Sequence, residues 1–216
     1  MQLYTDRSDA GRKLSEFLSQ YNESRNTVVL GLPRGGVVVA YEIAKLLHLD
    51  LDVFLVRKLG VPYQPELAMG AIAEGGEKFL NEDVVSIVGV SQKQIDQIAE
   101  EEYAELKRRL ARYRENRQAL QIKDNIVIIA DDGLATGATM KAAVRAIRKQ
   151  SPQKIVVAVP VGASSTVAQL KAEADEVICP RQPENFMAVG MWYEQFEQTQ
   201  DQEVVDLLKK SRIKRE

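Results

Sequence analysis

IVIIADDGLATGATM, residues 126–140, decides the fold. The apolar run 126–130 has the Ile- and Val-rich composition of a strand buried on both faces. It ends on two adjacent carboxylates, Asp131 and Asp132. Small residues dominate the loop after them: Gly133, Ala135, Thr136, Gly137, Ala138 and Thr139. Burying two like charges is costly, so the acids belong at a wet edge. In an open parallel sheet, that edge lies beyond the carboxyl ends of the strands, where ligands bind. A helix over 139–150 completes a strand–loop–helix unit.

The chain on either side repeats this alternation. Upstream, TVVLGL (27–32) is a strand, Pro33-Arg34-Gly35-Gly36 a turn, VVVAYEIAKLLHL a helix and LDVFLV (51–56) a second strand. Strand, Gly-rich turn, helix, strand is a βαβ unit and implies a parallel sheet. Before it, a helix over 8–21 places Leu14, Phe17, Leu18 and Tyr21 at helical spacing, with Asp6 or Ser8 as its cap. Downstream come strand 155–162, helix 164–173 and strand 176–179. The middle differs. Residues 57–70 hold two prolines and two glycines without a clean period and read as a long loop. Residues 71–81 read as a hairpin around Gly75-Gly76. Residues 91–117 read as one charged helix of about 40 Å. Ser91 and Gln94 cap it, and Ile95, Ile98, Leu106, Leu110 and Tyr113 form its apolar stripe. An aromatic-rich segment, 184–196, and a helix from 201 close the chain. The expectation is one α/β domain over 1–216: an open parallel twisted sheet with flanking helices. It carries a lid, hairpin and long-helix insertion at 60–122 and a C-terminal hood with its helix at 180–216.

Composition prunes the possible chemistry. Of 216 residues, 45% are hydrophobic and 28% charged, an ordinary balance for a globular domain. A net charge of −2 and a pI of 5.7 give no basic field for nucleic acid. No apolar run approaches the roughly 20 residues of a membrane helix, and the polar N-terminus does not read as a secretory signal. A cytoplasmic location is expected. The single Cys179 excludes an internal disulfide and a multi-cysteine metal site. His48, the single histidine, reads as a capping residue at a helix end. Nucleophile machinery of the Ser–His or Cys–His kind would have to run through it.

The opening stretch suggests a ligand. Adjacent carboxylates at an accessible edge accept hydrogen bonds from vicinal hydroxyls or hold Mg²⁺ through water. The small residues allow a tight turn whose backbone N–H groups point inward. Thr136 and Thr139 add hydroxyls, and the helix start adds its dipole. A diol followed by a phosphate, as in ribose 5-phosphate, satisfies the arrangement. The plainer alternative is a turn whose acids cap the next helix. No GxxxxGK[ST] loop or dinucleotide fingerprint occurs.

The stretch also resembles the phosphoribosyl-pyrophosphate signature of type I phosphoribosyltransferases: apolar run, two acids, small loop, Thr-Gly-x-Thr. Two other segments match in the family's order. Gly31-Leu32-Pro33-Arg34-Gly35-Gly36 resembles its pyrophosphate loop, and Arg57-Lys58-Leu59-Gly60 resembles the RKxG segment of the adenine enzymes. The whole pattern looks like an unassigned bacterial subfamily. The resemblance implies Mg²⁺-dependent transfer of the 5-phosphoribosyl group to a nitrogenous base, releasing pyrophosphate. By it, Asp131 and Asp132 hold the ribose diol and the metal, and 133–139 bind the 5-phosphate. Arg34, Gly35, Gly36, Arg57 and Lys58 face the pyrophosphate, with Glu66 as the candidate acid or base. In the hood, Phe186, Met187, Trp192 and Tyr193 are offered to stack on the acceptor; the alternative is that they cover the sheet edge. A homodimer is also implied. The family's 6-oxopurine enzymes have an Asp where this chain has Ala135, which weakens hypoxanthine and guanine as acceptors and leaves the acceptor open. Two other outcomes are compatible with the motif: a donor-binding regulator without turnover, and a phosphoribosyl hydrolase.

Overall fold

The computed structural model describes residues 3–115 and 117–213. In chain order the elements are α1 (Arg7–Glu16), β1 (Thr27–Gly31), α2 (Gly35–Leu46), β2 (Asp50–Val53), β3 (Val56–Val61), β4 (Gln64–Ala73), β5 (Lys78–Leu80), α3 (Glu82–Val88) and α4 (Gln92–Arg114). There follow β6 (Ile126–Ala130), α5 (Ala138–Arg148), β7 (Lys154–Ala158), α6 (Ser164–Leu170), β8 (Glu176–Ile178) and α7 (Asp201–Ile213).

Strand alternation builds two cores, one on each face of a parallel sheet ordered β2-β1-β6-β7-β8. Val29, Ile128, Ala130 and Val156 point to the face covered by α1, α2, α4 and α7, where they meet Leu14, Ile43, Leu106 and Val204. Val28, Leu30, Val127, Ile129 and Val157 point to the other face and meet Met140, Val144 and Ile147 of α5 and Leu170 of α6. Both faces are covered, so the strands read as continuous apolar runs. From β1 the chain crosses through α2 to β2 on one side. From β6 it crosses through α5 to β7 on the other. The adjacent strands β1 and β6 thus send their helices to opposite faces. Their carboxyl ends therefore form the topological switch point, the place where a crevice is expected and where open α/β sheets bind ligands.

A second sheet, antiparallel β3-β4-β5, follows β2 after only Phe54 and Leu55. This corrects the reading of 57–70 as a loop. Gly60 lies where a Cβ would stand 2.6 Å from the Pro65 carbonyl oxygen, and the register shifts on both sides of Gly60. The glycine and prolines that obscured the strand period are the residues of a tight, bulged pair. The apolar run expected over 51–56 is accordingly divided, β2 ending at Val53 and β3 starting at Val56. The turn at Gly75 and Gly76 lies between β4 and β5, both glycines at positive φ. Helix α3, unexpected from the sequence, starts from the Asn81 cap. Helix α4 has the expected capping box of Ser91 and Gln94. Of the two candidate caps of α1, Asp6 is the one used; its carboxylate accepts the Asp9 N–H at 2.7 Å. His48 adopts φ 54 just beyond α2.

At the carboxyl end of α4, buried Arg114 fastens the second sheet to the first. Its Nε donates to both Asp52 oxygens at 2.9 and 3.0 Å, its Nη1 to Glu74 Oε1 at 2.5 Å and its Nη2 to the Val53 carbonyl at 2.9 Å.

Candidate functional site

The crevice is built by two loops in close contact. The Leu32 N–H donates to the Ala130 carbonyl at 3.0 Å, tying the loop after β1 to the end of β6. The Pro33–Arg34 peptide next to it is cis. Gly36 lies against the acids: a Cβ there would meet the Ala130 carbonyl oxygen and the Asp131 Oδ1, each at 2.8 Å. At Gly35 a Cβ would collide with Asp132 Oδ2 and stand 2.6 Å from Arg7 Nε. Only glycine lets the backbone come this close.

The two acids are held differently. Asp131 is half-buried, and its Oδ1 accepts the Asp132 N–H at 2.8 Å. Burial, and then the charge of Asp132, push its carboxyl well above the usual range, while Arg7 pulls it down. Asp132 is held from outside the loop. Arg7 Nε donates to its Oδ2 at 2.7 Å, and the Tyr193 hydroxyl donates to its carbonyl at 2.5 Å. Burial, and then Asp132, push the Tyr193 hydroxyl far upward, so it stays a donor.

The small-residue loop runs from the acids to α5. Gly133 accommodates Val189, whose Cγ1 would be 2.5 Å from a Cβ. Leu134 is buried and fixes the loop's middle: its N–H donates to Val161 and its carbonyl accepts from Ala163, both at 2.9 Å. Thr166 Oγ1 donates to the Ala135 carbonyl at 2.7 Å. Gly137 takes φ 71 and caps α5 without a side-chain hydrogen bond. The first N–H groups of α5 therefore lack helical partners. Ala135, Thr136, Ala138 and Thr139 are exposed around them. Two carboxylates, a tight turn and an uncapped helix N-terminus thus stand in sequence along one edge, an arrangement suited to a diol with an attached phosphate. The acids supply hard oxygen donors. Among the described residues, no group of three or more His, Cys, Asp or Glu side chains gathers into a metal cage.

The other candidate residues lie farther out. Arg34, at the start of α2, is 3.9 Å from Asp201 Oδ1 of α7. Arg57 pairs with Glu102 of α4. Lys58 Nζ reaches Glu66 Oε2 at 3.2 Å on the exposed surface of the β3–β4 hairpin, where the Glu66 side chain is 97% accessible. The structure thus pairs Arg57, Lys58 and Glu66 within the second sheet and α4, in contacts separate from the acid pair. Between that sheet and α5 lies a cavity of about 450 Å³, lined among others by Ala71, Phe79, Asn81, Thr136, Ala138 and Lys141. The offered stacking rings, Trp192 and Tyr193, are instead 6% and 5% exposed and pack on Tyr4 and Val161. The large apolar hood residues most open to solvent are Met187 and Met191.

Sequence reasoning missed Arg7, Thr166 and Val189. Arg7 carried one usable signal: it is a cation in the first turn of α1, where the helix dipole disfavours positive charge. A carboxylate partner from elsewhere was to be expected.

A family model, the phosphoribosyl transferase domain, matches residues 3–195. A Mycobacterium tuberculosis (strain H37Rv) protein, named provisionally as a phosphoribosyl transferase, is 49% identical over 208 residues, 96% of this chain and 47% of that protein. The chain thus spans about half the length of the curated relatives it matches. The crystal structure of TT1426 from Thermus thermophilus superposes with a TM-score of 0.83 at 41% identity, covering 97% of this chain and 99% of that one. The AQ2163 protein of Aquifex aeolicus shares the fold at a TM-score of 0.50 and 13% identity, over 94% of this chain and 84% of its own.

Proposed function

The chain belongs to the phosphoribosyl transferase domain family, and on that premise we propose that it transfers the 5-phosphoribosyl group of phosphoribosyl pyrophosphate to a nitrogenous base, releasing pyrophosphate. One observation carries this reading: the acid pair and the start of α5, which has no side-chain cap, follow one another at the β1/β6 switch point, joined by a short loop of mostly small residues. Asp131 and Asp132 receive the ribose hydroxyls. Residues 133–139, with Thr136 and Thr139, receive the 5-phosphate. Gly35 and Gly36 bring the backbone to the pyrophosphate, and Arg34 grips it. Arg57 and Lys58 reach the leaving group only if the hairpin moves toward the crevice. In the transfer, the bond from the anomeric carbon to the pyrophosphate oxygen breaks and a carbon–nitrogen bond forms, through a state resembling an oxocarbenium ion. The chain's contribution is then orientation, exclusion of water and stabilisation of the leaving charge. Asp131 and Asp132 would hold magnesium, which would supply neutralisation of the leaving group's charge. The donor set fits it, since this ion is commonly held by one or two carboxylates together with water and substrate phosphates.

Calorimetry with phosphoribosyl pyrophosphate and Mg²⁺ tests the donor. The wild type is expected to bind, and the double variant Asp131→Asn/Asp132→Asn to lose binding; equal affinity would sink the reading. Pyrophosphate release across purines, pyrimidines and small amines then identifies the acceptor. The burial of Trp192 and Tyr193 favours a second reading, a donor-binding regulator, because it removes the expected stacking platform. Donor binding without pyrophosphate release from any acceptor would support it. Ribose 5-phosphate appearing without a base would instead indicate a hydrolase.

A further inference from the structure

Adjacent carboxylates invite the assumption of equal roles, but the contacts around them are unequal. Asp132 is gripped at side chain and main chain, by Arg7 and Tyr193. Arg7 does more than neutralise it. The Arg7 Nη1 donates to the Glu197 carbonyl at 2.6 Å, and its guanidinium lies 3.9 Å from the centre of the Phe196 ring. Its side chain is only 12% exposed. The strand-like pairing of Tyr4 and Thr5 with 192–195, at 2.8 to 2.9 Å, brings α1 and the hood together just before Arg7. Gly35 leaves the space in which the Arg7–Asp132 pair meets. By contrast, the Asp131 carboxylate accepts from within its own turn, from the Asp132 N–H.

We propose that Arg7 is a positioning residue that ties Asp132 to the C-terminal hood, so that the paired carboxylates divide the work. Asp132 meets the donor's hydroxyls as an anchored carboxylate, fixed between crevice and hood; Asp131 meets them as the carboxylate held only within its own turn. The division of work rests on the donor reading above, whereas the tie between Arg7, Asp132 and the hood does not. A guanidinium suits the tie because one planar fork serves the carboxylate, the carbonyl and the ring together.

Trp192, the single tryptophan, is buried in the hood with its carbonyl accepting the Tyr4 N–H at 2.9 Å, and so reports on the tie through that pairing. Acrylamide quenching of its fluorescence in the free full-length chain is the primary measurement. Arg7→Gln and Asp132→Asn are each expected to raise the quenching constant about twofold by local opening, and the double variant no further. Asp131→Asn is expected to leave it unchanged. Arg7→Lys, which keeps the charge but loses the fork, should fall between Arg7→Gln and the wild type. Quenching of Arg7→Gln equal to wild type, additive effects in the double variant, or Asp131→Asn matching Asp132→Asn would each overturn the proposal. Thermal melts of each variant ensure that only folded chains are compared. Donor titration forms the second arm: Arg7→Gln and Asp132→Asn should weaken binding about tenfold, a loss of about 1.4 kcal/mol, and non-additively. Asp131→Asn should weaken it more. A wild type that binds no donor would remove the donor reading, while the quenching cycle would still decide whether Arg7 links Asp132 to the hood.

Discussion

Gly35 and Gly36 show how one hydrogen in place of a methyl decides whether a crevice exists. A Cβ at either would press on a carboxylate or on the backbone that carries it. Gly35→Ala is expected to displace Asp132 and to lower donor affinity by at least about tenfold, read by calorimetry. Cys179 illustrates the opposite case, a reactive group kept silent. Burial pushes its thiol up to about 12, and its Sγ lies 3.2 Å from the Arg181 carbonyl. The thiolate is the nucleophile, so the native chain should alkylate slowly with iodoacetamide, and quickly once unfolded. Rapid native labelling would contradict the burial. At this scale the sequence was uneven in what it disclosed. The acids and the small loop were legible because their chemistry is contiguous. Arg7 was not, because its partner lies 125 positions away and only the fold joins them.

Among the elements, β6 was easy to read and β3–β4 was not, and the physics differs. Strand β6 is enclosed on both faces, so its apolar run is unbroken; Ile128→Ala should cost about 2–5 kcal/mol in urea unfolding. The β3–β4 pair depends on Gly60 and Pro65, which local rules assign to turns. Trp192 and Tyr193 were visible as an aromatic cluster, but whether such rings face a ligand or a core depends on packing that spacing does not encode. Helix α4 holds this region through Arg114. Removing its guanidinium leaves Asp52 and Glu74 unpaired, and Arg114→Met is expected to cost about 3–5 kcal/mol. Glu74 also sets a pH dependence. Burial holds its carboxyl above the ordinary range despite Arg114. A group whose folded pKa is raised contributes stability that is fully present below its unfolded pKa and lost as pH rises through the folded value. Wild-type stability should therefore fall, relative to Glu74→Gln, as pH climbs from the ordinary carboxylate range through that raised value. Urea midpoints across the mildly acidic range would show it, and parallel profiles would refute it.

Across the whole molecule, the strand order β2-β1-β6-β7-β8 is what makes two short loops, about a hundred residues apart in the chain, into neighbours. Alternating strands and helices foretold a parallel sheet, but sequence did not disclose its order, on which the crevice depends. The second sheet faces α5 across the large cavity. If it closes on a bound donor, limited proteolysis should show nicks in 60–80 suppressed by saturating phosphoribosyl pyrophosphate and Mg²⁺. Unchanged cleavage would count against closure. The attachment of that sheet has its own consequence. The Phe54 N–H donates to Gly31 at 3.1 Å and the Glu74 N–H to Leu55 at 2.9 Å, so the hairpin's two ends are fastened side by side at the core. Its far tip, at Tyr63, is almost wholly exposed. Insertions or deletions there extend or shorten a closed arm without disturbing the register of the parallel strands, and longer loops cost little additional entropy. The exposed tip at 63–67 is thus where the hairpin tolerates change, while Leu59, Val61, Met69 and Ile72 stay fixed in a core shared with α4.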